Sequence, residues 1–258
     1  MLNNMDESLS KVKHFFDLNR NLVPKPVVFP NLVEDLEKCD FITYQSGLPF
    51  WEVPFDYMPY KEMLEEAKSL KDEFVLYRSN DPDQEEGTSH NGWSSLAIHG
   101  VSSKHTMNWN CYPELSKLAD ESLVPYDYTE IQDRAPITVD FLKNHFPHGS
   151  YQRVRFMLVP PGGYILPHKD REQSFLSPVN IALSNPDGCE FVMENNGVVP
   201  FEPGKAFLVD ISNTHCIWNN SNEDRIHLII HYKGKDGTHA DGWAKKIAQT
   251  YKNSTNLL

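Results

Sequence analysis

The sequence 151-YQRVRFMLVPPGGYILPHKD-170 decides the fold. One apolar run ends at a Pro-Pro-Gly-Gly turn, and a second apolar run follows and ends at a histidine and an aspartate. The same alternation of short apolar runs and turn residues continues to residue 232. It predicts eight strands, near residues 152–159, 163–167, 178–184, 189–194, 197–201, 205–210, 215–219 and 225–232. Eight short strands in roughly 80 residues are typical of a sandwich or a closed jelly-roll barrel.

The residues on either side of this barrel core, which spans 148–233, have a different character. Residues 1–147 alternate helical patterns with loops, and we expect a mixed α/β part that packs on the barrel and extends it. The stretch 92–100 is predicted to be an edge strand of the barrel sheet. Residues 234–258 are predicted to form a tail with a short helix at 242–251. Apolar residues at helical spacing predict three earlier helices, around residues 9–16, 60–70 and 138–146.

Composition narrows the class of protein. The chain has 258 residues and a formal net charge of −12, from 24 Lys and Arg against 36 Asp and Glu. This acidic balance argues against a non-specific nucleic-acid binder and against binding to anionic membranes. No apolar run approaches the roughly 18 residues of a membrane span, and no secretory signal is visible at the N-terminus. The four cysteines form no CxxC pair, which argues against a disulfide scaffold and favours the reducing cytoplasm: Cys39, Cys111, Cys189 and Cys216.

The end of the second predicted barrel strand carries a possible metal site. His168 and Asp170 are two residues apart, so an extended chain points both side chains the same way. His215 opens a later predicted strand and supplies a third ligand. Two histidines and one carboxylate on neighbouring strands form the facial triad of non-haem Fe(II) oxygenases, in which the remaining metal positions stay open.

A His-x-Asp pair alone is a weak signal. A chain with 11 histidines contains about one such pair by chance, and His239 and Asp241 form a second one in the tail. That second pair has no later strands to complete a barrel site. For His168 alone, a histidine on a surface loop is the alternative. The order of the first pair, a strand-rich interval, His215 and a later arginine favours the metal site.

Arg225 is that arginine, and it begins the last predicted strand, 225-RIHLIIHY-232. Both faces of this strand carry apolar residues, which indicates burial on both sides. A buried arginine needs an anionic partner, and its planar fork matches a carboxylate. Arg225 therefore suits a cosubstrate whose distal carboxylate reaches the bottom of the barrel. A solvent-facing strand residue is the alternative.

In its sequence motifs, the region 151–232 resembles the aspartyl/asparaginyl β-hydroxylase family of Fe(II)/2-oxoglutarate-dependent dioxygenases. The resemblance covers about a third of the chain. It rests on several motifs in the family's order: Pro161-Gly162 before Pro167-His168, Pro186-Asp187-Gly188-Cys189, Phe201-Glu202-Pro203-Gly204-Lys205, and Asp210 before His215-Cys216-Ile217-Trp218 and Arg225.

The resemblance implies a fold, a set of cofactors and roles for residues. It implies a double-stranded β-helix that uses Fe(II), 2-oxoglutarate and O₂. His168 and His215 would bind the iron, and Arg225 would bind the distal carboxylate of 2-oxoglutarate. Animal members have glycine at the position of Asp170, whereas bacterial relatives that hydroxylate free proline or lipid A have the carboxylate. A carboxylate here also favours hydroxylation over halogenation, which needs that position empty.

One departure from the family concerns the inner end of 2-oxoglutarate. The animal enzymes carry a basic pair on the strand after the metal motif, where this chain has Pro178 and Asn180. We expect Asn180 to hold part of the keto-acid end, with Arg155 or Arg153 supplying charge from the preceding strand. The two arginines alternate on one face of that strand. Binding of an anionic substrate or cosubstrate group and salt bridges to surface acids are equal interpretations of them.

These residues together predict a reaction: hydroxylation of an unactivated C–H bond of an amino acid or peptide side chain, with release of succinate and CO₂. A non-catalytic, cupin-like ligand-binding protein is the first alternative. A zinc hydrolase on the same ligands is weaker, because no general base is evident beside the site. The expected partner is a small molecule or peptide, and neither nucleic acid nor membrane is expected. Trp93 and His99 either line the mouth of the site or belong to the core.

Overall fold

The computed structural model describes residues 2–25, 47–78, 89–147, 150–172 and 178–232. In these residues three α-helices are present, α1 (Leu2–Asn19), α2 (Tyr60–Ser69) and α3 (Pro136–Asn144). Four strands precede the barrel: β1 (Phe50–Glu52), β2 (Val75–Leu76), β3 (Ser94–Gly100) and β4 (Asp127–Tyr128). Eight form it: β5 (Tyr151–Val159), β6 (Tyr164–His168), β7 (Val179–Ser184), β8 (Cys189–Met193), β9 (Gly197–Val198), β10 (Ala206–Val209), β11 (His215–Asn219) and β12 (Arg225–Tyr232).

Two antiparallel sheets make up the barrel. The larger sheet has the order β1-β10-β7-β12-β5-β3-β2, with β4 also pairing β3, and the smaller sheet has the order β6-β11-β8-β9. From β5 to β12 the chain alternates between the two sheets, except that β8 and β9 are neighbours in the smaller sheet, and this is the path of a double-stranded β-helix. Apolar side chains from both sheets fill the space between them, among them Met157, Phe207, Ile165 and Phe191. The predicted fold, mainly β with flanking helices around a jelly-roll core, is confirmed.

All eight predicted barrel strands are present, with ends within one residue of the prediction except in β9, which is three residues shorter. β9 ends at Val198, whereas the apolar pattern extended it to residue 201. Pro200 has no N–H to donate to a strand ladder, so pairing cannot continue through it. The predicted helix at 242–251 lies outside the described residues.

The register of β12 decides which side chains enter the barrel. Ile229 lies opposite Arg155 on β5 and opposite Asn180 on β7. Residues that are directly opposite in adjacent strands point to the same face. Arg155 and Asn180 therefore share the face of β12 that carries Arg225, with Ile229 between them. This is the face that the smaller sheet covers.

The other face of the larger sheet packs against α2 and α3, and Met63, Phe141 and Phe156 belong to that core. The helix α1 covers the outer side of the smaller sheet, where Phe16 packs with Leu166. The predicted edge strand is β3, which pairs with β5. It is not at the edge, because β2 and β4 pair with it as well. Among the described helices, none has the length and apolar character needed to cross a membrane.

Candidate metal centre

The two histidines of the predicted triad meet at the ends of two paired strands. His168 ends β6 and His215 begins β11, and the two are direct partners in the register. Asp170 follows β6, where its backbone N–H donates to the Ile211 carbonyl at 2.9 Å. The Asp170 carboxylate oxygens lie 3.7 Å from His168 Nε2 and 3.9 Å from His215 Nε2. One ligand atom from each of the three residues lies within 4.8 Å of the others.

Backbone carbonyls fix the orientation of both imidazole rings. The Nδ1 of His168 donates to the Leu166 carbonyl at 2.8 Å, and the Nδ1 of His215 donates to the Asn213 carbonyl at 2.9 Å. This leaves each Nε2 unprotonated and available as a metal ligand. The Nε2 of His168 is buried and has no hydrogen-bond partner within the described part of the chain. Two aimed imidazoles and a carboxylate are the donor set that Fe(II) accepts.

The protonation of the three groups suits a cation. Burial lowers the pKa of His168, and burial followed by the neighbouring His168 lowers the pKa of His215 to about 4. Both rings are therefore neutral near pH 7. Burial acts to raise the pKa of Asp170, but the favourable interactions with His168, His215 and Arg78 outweigh it, so the pKa falls below its usual value. An ionised carboxylate beside two neutral imidazoles can balance part of a metal ion's charge.

Arg78 belongs to this centre and was not predicted. Its Nη1 donates to Asp170 Oδ1 at 2.7 Å. Arg78 lies just after β2, and its φ of 51° is unusual for a residue other than glycine. Its neighbour Tyr77 packs against Trp93, with ring centroids 4.4 Å apart, and Trp93 in turn lies 5.7 Å from His168. The residues around Arg78 carry no metal-site motif, so only the folded chain shows this contact.

A cavity extends from the metal centre into the barrel. Its lining includes all six predicted site residues: Arg155, His168, Asp170, Asn180, His215 and Arg225. The other lining residues are mostly apolar or aromatic: Tyr77, Trp93, Met157, Ile165, Pro178, Phe191, Ile211, Ile217, Ile229 and His231. Phe191 stacks on His215 with ring centroids 5.2 Å apart. Apolar walls exclude water from the space beside the ligand atoms.

Arg225 is buried without an acid. It is 1% exposed, and within the described residues no carboxylate lies within ion-pair distance of it. Burial lowers its pKa to about 10, which still leaves it charged at neutral pH. Its Nη2 lies 2.9 Å from His227 Nδ1, and the same Nδ1 lies 2.8 Å from Asn180 Oδ1. One ring nitrogen cannot accept from Arg225 and donate to Asn180 together. An incoming carboxylate would resolve this by taking the Arg225 donors, and Arg225 Nε, also buried without a hydrogen bond, is a further donor for it.

Some predicted residues lie elsewhere or have other contacts. Trp93 lines the cavity, whereas His99 packs between Tyr128 and Tyr151 on the outer side. The two histidines of β12 are not part of the metal-ligand group and pack on the cavity side of the strand, where His227 contacts Arg225 and His231 contacts Arg155 at 3.0 Å. The parity of β12 indicates this inward face, but an apolar strand offers no signal for the contacts themselves.

Comparison with solved structures finds similar chains among oxygenases. A prolyl-4-hydroxylase from Pseudomonas putida is 13% identical, with 78% of this chain and 97% of that chain covered and a TM-score of 0.40. A 2OG-Fe(II) oxygenase family oxidoreductase from Burkholderia pseudomallei is 12% identical, with 68% and 81% covered and a TM-score of 0.39. A viral collagen prolyl hydroxylase from Paramecium Bursaria Chlorella virus-1 is 11% identical, with 71% and 94% covered and a TM-score of 0.35. These TM-scores are below 0.5, so the family assignment does not rest on them.

The family model of the aspartyl/asparaginyl β-hydroxylases matches residues 59–234, well over half of the chain. The match begins far ahead of residue 151, where the resemblance in sequence motifs began. It therefore includes α2, β3 and the segment that carries Arg78. The chain belongs to the aspartyl/asparaginyl β-hydroxylase family, and it is an oxygenase that depends on Fe(II), 2-oxoglutarate and O₂.

Proposed function

We propose that this protein hydroxylates an unactivated C–H bond of an amino acid or of a peptide side chain. One observation carries the proposal: three metal-ligand atoms lie within 4.8 Å of one another, at one wall of a cavity that Arg225 also lines. Backbone carbonyls accept hydrogen bonds from Nδ1 of both histidines, and such bonds commonly orient histidines that bind a metal through Nε2.

The metal would be held by His168 Nε2, His215 Nε2 and one oxygen of Asp170. With 2-oxoglutarate and O₂, Fe(II) supplies the oxidation that places one oxygen atom in the C–H bond and the other in succinate, with loss of CO₂. The chain keeps the ligand atoms aimed at one point before the metal arrives. The apolar side chains of Trp93, Phe191 and Ile217 keep this point dry.

The cosubstrate would lie along the cavity between the metal centre and Arg225. Arg225 binds the distal carboxylate through its guanidinium fork, with His227 and Asn180 beside it. Asn180 and Arg155 both line the cavity, and the proposal retains them as partners of the cosubstrate. Asn180 lies close to the Arg225 end through His227, whereas Arg155 acts electrostatically on Asp170 and so lies towards the metal.

The lining of the cavity indicates the class of substrate. The lining of the cavity offers cations and aromatic rings together, which suits a small zwitterionic or acidic molecule. A peptide side chain with an acidic or amide group meets the same requirement. The spacing of the cysteines supports a reducing compartment, and we propose the cytoplasm as the location.

The test is an anaerobic titration followed by exposure to O₂. Fe(II) and 2-oxoglutarate together should give a weak visible charge-transfer band, and O₂ should then release succinate. His215→Ala should lose both signals. His145→Ala is the control, since His145 pairs with Asp140 at 3.6 Å on the surface, away from the cavity. A wild-type protein that binds 2-oxoglutarate without a band or succinate would be a ligand-binding protein, and hydrolysis in the absence of O₂ would indicate a zinc enzyme.

A further inference from the structure

Besides Arg225, two buried cations lie side by side towards the metal end of the barrel. Arg153 and Arg155 are 8% and 4% exposed and stand two residues apart on β5. Their hydrogen-bond partners among the described residues are all neutral. The Thr106 carbonyl accepts from Arg153 Nη1 at 3.4 Å and from Arg155 Nη1 at 2.6 Å. Asn108 Oδ1 accepts from Arg153 Nη2 at 2.6 Å, and His231 Nε2 accepts from Arg155 Nη2 at 3.0 Å.

No acid lies within ion-pair distance of either arginine among the residues that the structure describes. The Nε of Arg153 and the Nε of Arg155 are both buried without a hydrogen bond. Burial and the charge of Arg155 lower the pKa of Arg153, and the attraction from Glu121 only partly opposes them. The Tyr126 hydroxyl donates to Glu121 Oε1 at 2.7 Å, and Glu121 forms no ion pair with either arginine among the described residues. Neutral acceptors satisfy only some of the donors and leave two like charges buried side by side, which is unfavourable without an anion.

The alternative of surface salt bridges, which the sequence left open, is therefore not what the described residues form. The position of the pair also separates it from Arg225. In the register of β5 and β12, Arg153 lies opposite His231, Arg155 opposite Ile229, and Arg225 opposite Val159. The pair thus lies several residues along the sheet from Arg225, and Tyr77 covers Arg155 with its ring 5.1 Å from the guanidinium.

The number of anions decides what the pair binds. On the proposed function, 2-oxoglutarate brings two carboxylates, one for Arg225 and one for the metal end. Arg155 lines the cavity and can face the second of these, but Arg153 lies beyond the lining. One cation remains without an anion when the cosubstrate is in place. We propose that Arg153, together with Arg155, forms a subsite for a carboxylate group of the substrate.

The inference narrows the substrate to a carboxylate-bearing molecule. Two guanidinium forks with their remaining donors free can share the two oxygens of one carboxylate. A group anchored there positions the rest of the substrate beside the metal ligands, since Arg155 lies in the same cavity as Asp170. A free amino acid has such a group, as does a peptide with an acidic side chain or a free C-terminus.

Acetate is the probe, added to protein that holds Mn(II) and saturating 2-oxoglutarate. We compare the wild type, Arg153→Gln and, as a control, Arg134→Gln on the surface, where Arg134 pairs with Glu73. At constant ionic strength, acetate should raise the melting temperature of the wild type and the control. In Arg153→Gln the half-saturating acetate concentration should rise at least about tenfold, as expected for one lost charge-assisted bond. Arg153→Lys keeps the charge and should show an intermediate value, so a glutamine variant that does not fold leaves the test intact.

Three results would overturn the subsite. They are no acetate effect on the wild type, an equal effect in Arg153→Gln, or a loss of 2-oxoglutarate affinity in Arg153→Gln as large as the loss of acetate affinity. The last would make Arg153 part of the cosubstrate site. Failure of the proposed function looks different, because the wild type would then not bind 2-oxoglutarate in the absence of acetate.

A turnover assay then identifies the source of the carboxylate. Free amino acids, their primary amides and short acidic peptides are compared by succinate release. An acid that stimulates release should lose at least about tenfold of its effect as the amide, or in Arg153→Gln. Equal stimulation by an acid and its amide would exclude the carboxylate as the recognised group.

Discussion

The two ends of the barrel cavity differ in the charge of the groups that line them. At the metal end, His168 and His215 are neutral and only Asp170 carries a negative charge. At the other end, Arg225 is a buried cation beside the neutral groups of His227 and Asn180. Arg225 lacks an anion among the described residues, and a buried charge without a partner is unfavourable, so its end favours an anionic ligand. The metal end offers two unprotonated imidazole nitrogens and the carboxylate of Asp170, which Arg78 pairs through Oδ1, so it favours a metal cation.

Because the two ends differ in charge, mutations at each end should weaken the binding of a different ligand. Groups at the metal end should control metal affinity, and groups at the Arg225 end should control 2-oxoglutarate affinity. A variant that changes both equally would show that the two ends act as one structural unit. Measuring Mn(II) and 2-oxoglutarate affinities on the same variants therefore tests the comparison directly.

The largest effect should follow loss of a metal ligand. Asp170→Ala removes the one negative charge of the centre, and we expect Mn(II) affinity to fall by more than the roughly 10–100-fold lost when an outer-shell partner is removed. Succinate release should disappear. Asp140→Ala is the control, because it removes a surface carboxylate near His145. Metal affinity that stays within a few-fold of the wild type would rule out Asp170 as a ligand.

The next effect should appear at the opposite end, in Arg225→Gln. Removing the charge should weaken 2-oxoglutarate binding by about a hundredfold, in the range known for breaking a buried charged pair. Mn(II) affinity should stay close to that of the wild type. Arg225→Lys keeps the charge but loses the planar guanidinium fork. Its affinity for 2-oxoglutarate should therefore lie between the affinities of the wild type and of Arg225→Gln. If metal and cosubstrate affinity fall together in Arg225→Gln, Arg225 has a structural role only.

The barrel could be predicted from the sequence because its signals are local. Each strand is a short apolar run bounded by turn residues, and the period of two in β5 and β12 assigns side chains to faces. Strand parity placed Arg153 and Arg155 on one face without deciding between the cavity and the surface, and the order of His168, Asp170, His215 and Arg225 along these strands led to one cavity.

The missed parts of the site depend on contacts between distant segments. Arg78 reaches Asp170 across 92 positions of sequence. The Thr106 carbonyl that binds Arg153 and Arg155 belongs to a loop with no motif. A backbone acceptor has no signature in sequence, because every residue has one. Such groups become visible only when the fold brings the segments together.

Arg78 gives the third prediction, which sharpens the description of the metal end. Its bond to Asp170 Oδ1 leaves Oδ2 towards His215, so Arg78 should position the carboxylate without binding the metal. Arg78→Gln should lower Mn(II) affinity about tenfold, as is typical when a residue that hydrogen-bonds a metal ligand is removed. It should change 2-oxoglutarate affinity less. Arg20→Gln is a matched control, since Arg20 forms a 2.7 Å pair with Glu190 on the surface.

Partial rescue distinguishes positioning by Arg78 from simple support of the fold. Arg78→Lys restores a cationic donor and should recover part of the metal affinity, and Co(II) bound to Arg78→Gln should show an altered visible spectrum because the carboxylate is less constrained. A Co(II) spectrum and an Mn(II) affinity equal to those of the wild type would remove Arg78 from the metal centre.

The smallest effect should come from Asn180→Ala. Asn180 contacts His227 and not Arg225 directly, so it stands one step from the cation that binds the distal carboxylate. Loss of one neutral hydrogen bond is worth about 0.5–1.5 kcal/mol, and 2-oxoglutarate affinity should fall between two- and tenfold with metal affinity unchanged. Asn144→Ala is the control, because Asn144 makes a comparable 2.7 Å bond to Asp140 on the surface. A loss as large as that of Arg225→Gln would place Asn180 in direct contact with the cosubstrate, and the carboxylate site would then consist of both side chains.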